Sequence, residues 1–182
     1  MKILILNWRD INHPLSGGAE ISLFEHAKYW KSKGAEVLWF TSCFKRAKLE
    51  EEIEGIKIIR RGSYYTVHIH ALFYYLLKIR KNVDIIVDNF HFIPFFTPFY
   101  APKKKIIAFI NEPAKNNWFN NIYFPISLLG FLIEPLFFIF YREIQFITAA
   151  SSIAKELKDY GISSNSIHII HHGASAVRLE RD

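Results

Sequence analysis

Three short clusters carry residue types suited to chemistry. Gly17-Gly18 stands between an apolar run at 3–6 and a stretch at 19–33 that places Leu23, Phe24, Ala27 and Trp30 at helical spacing. Without a β-carbon the backbone can come close to an anionic oxygen, and a helix N-terminus adds partial positive charge, so this loop suits a phosphate. A tight turn into a helix explains the glycine pair equally well. The pattern is not GxGxxG and no Walker lysine follows, which weighs against the nicotinamide and P-loop classes. In the second cluster, Asn111, Glu112 and Pro113 follow an apolar run at 105–110. Glu112 can act as an acid or base and Asn111 can hydrogen-bond a hydroxyl, while a polar turn closing a strand fits the same residues. The third cluster, Asp88, Asn89 and His91, follows a run at 84–88; these side chains could meet hydroxyl groups or form a solvated strand end.

Other polar residues are less specific. His68 and His70 lie two apart with no third ligand in view, so no metal site is expected. Glu20 falls in the first turn of the first helix, where a carboxylate gains from the dipole whatever its role. Asn116, Asn117 and Trp118 could form a stacking platform, or Trp118 could anchor an apolar segment at a membrane interface. His171 and His172 either line a cleft or decorate a linker.

Such groups need a scaffold, and the periodicity supplies one. Short apolar runs at 3–6, 36–41, 56–59, 84–88, 105–110, 144–149 and 167–170 alternate with helical patterns at 19–33, 67–81 and 151–160. That alternation predicts an α/β fold, a Rossmann-like three-layer αβα domain with a mainly parallel sheet. Right-handed crossovers then place the strand carboxyl ends, and all three clusters, along one edge. Residues 45–55 read as a charged connection.

The chain of 182 residues fits one domain, and its 51% hydrophobic content excludes disorder. A net charge of +6 and a pI near 9.3 favour anionic partners. The basic residues are dispersed apart from Arg60-Arg61 and Lys103-Lys104-Lys105, and no stacking-aromatic motif accompanies them, so no nucleic acid is expected. Cys43 is the only cysteine, which rules out an intrachain disulfide and is consistent with a reducing, cytoplasmic setting. The first apolar run is too short for a signal peptide.

Residues 119–141 are almost uninterruptedly hydrophobic and close to spanning length. Pro125, Glu134 and Pro135 speak against a span. A buried helix or helical hairpin, or an apolar surface at 118–141 resting on a bilayer, are the remaining readings.

The segment Pro14-Leu15-Ser16-Gly17-Gly18-Ala19-Glu20 resembles the N-terminal loop of family 4 (group 1) retaining glycosyltransferases of the GT-B fold. Two more stretches share the likeness: 84–89 with 94–100, and Ile147-Thr148-Ala149-Ala150-Ser151 through Leu157 and Gly161-Ile162 to residues 167–173. The resemblance implies that 1–173 form the acceptor-side half of a GT-B fold. It makes 174–182 the start of an interdomain linker and puts a C-terminal donor-binding domain outside these residues. It implies transfer from a nucleotide-diphosphate sugar to a saccharide or lipid-linked acceptor, with no metal and no further cofactor. Gly17 and Gly18 match the loop that approaches the diphosphate. Asp88, Asn89 and His91 would face the acceptor. Many relatives carry a histidine where this chain has Asn111 and Glu112, which inherit the catalytic position. A non-catalytic nucleotide- or partner-binding module and a membrane-peripheral scaffold are the alternatives.

Overall fold

The computed structural model of the chain describes residues 1–102 and 104–171; Lys103, His172, Gly173 and the linker expected at 174–182 lie outside the described residues. The strands are β1 (Lys2–Leu6), β2 (Glu36–Thr41), β3 (Glu50–Ile53), β4 (Ile56–Arg60), β5 (Ile85–Phe90), β6 (Lys105–Ile110), β7 (Gln145–Thr148) and β8 (Ile167–Ile169). The helices are α1 (Gly18–Ser32), α2 (Val67–Tyr74), α3 (Thr97–Tyr100), α4 (Asn117–Asn121), α5 (Ile126–Phe140) and α6 (Ser151–Asp159). All eight strands form one sheet in the order β3-β4-β2-β1-β5-β6-β7-β8. Every pairing is parallel except β3 with β4.

The central strands are apolar on both faces because both faces are covered. Ile3, Ile5, Val37 and Trp39 pack against Leu23, Phe24 and Ala27 of α1. The alternate residues Leu4, Leu38, Phe40 and Ile86 lie under Val67 and Ala71 of α2. Further along that second face, Phe90, Ala108 and Phe146 meet Phe137 and Phe138 of α5 and Leu157 of α6. The result is the predicted three-layer, Rossmann-like α/β domain.

Three details differ from the periodicity reading. The charged stretch at 45–55 contains β3, whose Glu51 pairs with Arg60 at the end of the neighbouring strand and whose Glu50 pairs with Arg61 just after it. Glu54 and Gly55 both have positive φ, the requirement of a two-residue hairpin turn. The helix expected at 67–81 is α2 followed by a π-helical turn at Tyr75–Ile79. Residues 119–141 divide into the end of α4 and the whole of α5, and among the described residues no helix is long and apolar enough to cross a membrane.

Candidate functional site

Strand order reverses at β1, which has β2 on one side and β5 on the other. The crevice outside the carboxyl ends of such strands is where open α/β sheets bind ligands. Here it is a cleft of about 850 Å³ lined by Trp8, Arg9, His13, Leu15, Ser16, Tyr64, His91, Phe92, Glu112 and Asn117.

The loop after β1 is fixed by buried polar bonds. Trp39 Nε1 donates to Arg9 O at 3.2 Å, and Ser42 Oγ donates to Trp8 O at 2.6 Å. Asp10 and Arg60 form a bidentate pair, with Nε to Oδ2 at 2.6 Å and Nη2 to Oδ1 at 2.9 Å, and neither side chain touches solvent. Arg60 also donates to Lys48 O at 2.9 Å and pairs with Glu51. Burial works against the Arg60 charge, but the two carboxylates more than offset it and raise its pKa. Sequence reasoning missed this pair, as it missed Arg9, whose Nε lies 3.3 Å from Glu20 Oε1 and whose guanidinium covers the Trp8 ring at 4.0 Å. Arg9 also donates to Leu15 O. Glu20 is therefore more than a dipole partner: fully buried, it holds Arg9 and accepts the Gly17 N–H at 2.8 Å.

Gly17 has φ −143° and ψ −160°, an extended conformation open to any residue, and Gly18 is helical. A β-carbon on Gly18 would meet nothing within 4 Å. Neither glycine is required by its backbone conformation or by its packing. With the Gly17 N–H taken, the N–H groups of Gly18, Ala19 and Glu20 are the ones left without helical acceptors.

The other expected site residues separate into two groups. His91 and Glu112 line the cleft, whereas Asn111, half-buried just after β6, is not among the residues that line it. His91 stacks on Trp8 at 4.8 Å, and burial with help from Arg9 pushes its pKa down to about 4, so the imidazole is neutral near pH 7. Asp88 and Asn89 are not presented to a ligand, which corrects the expectation placed on them. Asp88 is fully buried and accepts Phe95 N at 2.9 Å, Thr97 N at 3.2 Å, Thr97 Oγ1 at 2.7 Å and the Tyr141 hydroxyl. Burial raises its pKa against those donors. Asn89 is buried and donates to Asn7 Oδ1 at 2.8 Å, tying β5 to the end of β1.

Trp118 is neither an exposed platform nor a membrane anchor. It is buried, its Nε1 donates to Glu134 Oε2 at 2.9 Å, and its ring fills the space beside Gly130, where a β-carbon would come within 2.3 Å. Glu134 also accepts Ala114 N at 2.7 Å and Lys115 N at 2.8 Å, clamping the loop that carries Asn111 and Glu112. His68 and His70 bond separately to Ile93 O and Thr66 O. His171 bonds to Ala149 O at 2.9 Å, and its neighbour His172 lies outside the described residues.

A doubly wound sheet with a glycine-led helix N-terminus and a polar cleft at its switch point defines a Rossmann-like ligand-binding domain. The chain belongs to Glycosyltransferase Family 4, whose model matches residues 16–178. Among solved structures it is similar to an α,α-trehalose-phosphate synthase (UDP-forming) from Burkholderia vietnamiensis, at 12% identity and a TM-score of 0.45 over 87% of this chain and 42% of that one. An α,α-trehalose 6-phosphate synthase from Burkholderia multivorans matches at 12% identity and a TM-score of 0.44, over 87% and 41%. The chain thus spans less than half the length of either. No curated protein matches it.

Proposed function

We propose that this chain is the acceptor-side half of a GT-B glycosyltransferase that moves a sugar, with retention and without a metal, from a nucleotide-diphosphate sugar to a saccharide or lipid-linked acceptor. The observation that carries the proposal is the first turn of α1. Its free N–H groups, its open Gly18 and the Arg9 cation beside it are suited to a diphosphate in its leaving state. In this reading Gly17 and Gly18 form one wall of the donor site. Glu112 serves as acid or base, Asn111 and the neutral His91 bind hydroxyls, and Asp88 and Asn89 brace the end of β5. Titration with UDP and GDP, followed by amide NMR, tests it. The expected result is a shift of the Gly18 and Ala19 amides, lost in Gly18→Val while the remaining spectrum is preserved. Absence of any shift with either nucleotide would sink the proposal.

Membrane-peripheral attachment is supported by a separate observation. The outer side of α5 exposes Leu129, Leu132, Leu136, Ile139 and Phe140, and Phe99 of α3 stacks against Phe140 at 4.8 Å. On the same face of the sheet, α2 exposes Ile69 and Phe73. A cavity of about 870 Å³ at the end of α2 gathers Lys78, Arg80, Lys81 and Lys104 with no carboxylate among its lining residues. Apolar surface bordered by cations matches an anionic bilayer. The protein is expected to float with vesicles of equal parts phosphatidylglycerol and phosphatidylcholine, and Leu132→Asp to abolish this. Equal flotation of the variant would refute the attachment.

A further inference from the structure

A second cavity shares a wall with the cleft. Trp8, Tyr64, His91 and Phe92 border both, and beyond them a groove of about 420 Å³ runs away from Arg9 and the α1 N-terminus. That volume lies within the roughly 300–1,000 Å³ of ordinary ligand pockets. The two cavities differ sharply in chemistry. The cleft has Arg9 and Glu112 in its lining, whereas the groove is walled by aromatic and aliphatic groups and two histidines, without a lysine, arginine or carboxylate. Much of the polarity it does contain is already spent: His68 Nε2 is bonded to Ile93 O and Trp118 Nε1 to Glu134. Phe92, at φ 58°, sits in a tight turn closed by Ile93 N donating to His91 O at 2.7 Å, and its ring meets Trp118 edge-on at 5.1 Å. A phenylalanine is rarely tolerated in that backbone region, and such residues gather at ligand sites.

The far end of the groove identifies its occupant. It ends at Tyr123 and Ile126, which are 91% and 63% exposed and stand where the apolar outer side of α5 begins. An uncharged path thus leads from an exposed apolar surface to the wall of a polar cleft. A soluble saccharide would leave that path unfilled, and a folded protein segment would have to stop short of the cleft. A single hydrocarbon chain can follow it throughout, with a phosphate at its head arriving beside Arg9.

We propose that the groove holds the hydrocarbon chain of a lipid-linked acceptor, whose phosphate and hydroxyl-bearing head pass the Trp8–His91 stack into the cleft. This rests on the glycosyl-transfer reading and specifies its acceptor class.

The test uses the full chain and two probes, farnesyl phosphate and inorganic phosphate, followed by tryptophan fluorescence, since Trp8 and Trp118 both line the groove. Farnesyl phosphate is expected to bind at least about tenfold more tightly than inorganic phosphate, because the chain buries many methylene groups. Ile93→Asp and Ile126→Asp should each remove most of that advantage. Leu132→Asp, on the outer side of α5, should leave it intact. Equal affinity for the two probes overturns the proposal, and so does an equal loss in Leu132→Asp and Ile126→Asp, which would mean adsorption to the face. UDP binding separates this idea from the one beneath it. Gly18 and Ala19 shifts that persist in Ile126→Asp, without farnesyl phosphate binding in the native chain, defeat only the lipid acceptor. Groove binding without any UDP shift defeats the transferase and leaves the lipid site standing.

Discussion

Asp10→Ala is expected to lower the unfolding free energy by about 3–5 kcal/mol, the range for removing one partner of a buried ion pair. Both members are fully buried, so the Arg60 guanidinium would keep only Glu51 and the Lys48 carbonyl in a place water does not reach. Against a typical total of about 5–15 kcal/mol, that loss is large. The cost arises from the abandoned charge rather than from the worth of the pair. Asp10→Leu combined with Arg60→Met should therefore lose much less than Asp10→Ala alone. Urea midpoints of the two variants decide the matter; a loss under about 1 kcal/mol for Asp10→Ala would show that the site relaxes or hydrates. The consequence reaches the cleft. Asp10 Oδ1 also accepts Asn12 N at 2.8 Å, so the pair fixes the start of the loop that ends in Gly17-Gly18. The double variant, stable but without that anchor, should bind UDP more weakly than the native chain.

The same pair marks where sequence reading stops. Asp10 and Arg60 are fifty positions apart, and they meet only because β4 lies beyond β2 on the same side of β1. Periodicity locates strands but not their order, so Arg60-Arg61 read only as a small basic cluster without a partner inside the fold. The α/β class, the central strands and the edge that collects the loops followed from apolar runs, because burial on both faces leaves that signature. The edge strand β3 did not, since Glu50, Glu51 and Glu52 are the residues expected of a solvated loop; they form a strand by pairing with β4, where Glu51 and Glu50 also meet Arg60 and Arg61. Asp88 misled for a related reason. A carboxylate at a strand end looks like a site residue, and only the fold shows Thr97 and Tyr141 closing over it. Arg9 had a usable signal in hindsight, a cation two residues before a fixed turn and beside an aromatic. His91 and Glu112 were legible because strand ends at the switch point are near the cleft whatever their side chains do.

Replacing Glu134 should have the second large effect, and the choice of substituent separates two accounts of the apolar stretch around it. In a helix that inserts into lipid, a mid-helix carboxylate is a liability and Glu134→Leu would be favourable. In the structure that carboxylate is buried and accepts three donors, two backbone N–H groups and the Trp118 indole, which turn the loop after β6 back onto α5. Glu134→Leu removes every acceptor while leaving the helix propensity untouched. The expected loss is roughly 2–4 kcal/mol, since hydrogen bonds to charged groups are strong and buried unpaired donors cost more still. Glu134→Gln keeps the shape but turns an NH₂ toward at least one N–H, so it should fall between the native chain and Glu134→Leu. Trp118 reports the event directly, because its release from Glu134 and from the space beside Gly130 would red-shift its emission. The loop that loosens carries Asn111 and Glu112, so their amide resonances should broaden in Glu134→Leu even at temperatures where the domain remains folded. A Glu134→Leu chain with unchanged or higher stability and unshifted Trp118 emission would mean that α5 is not held by this clamp, and the insertion account would regain its standing.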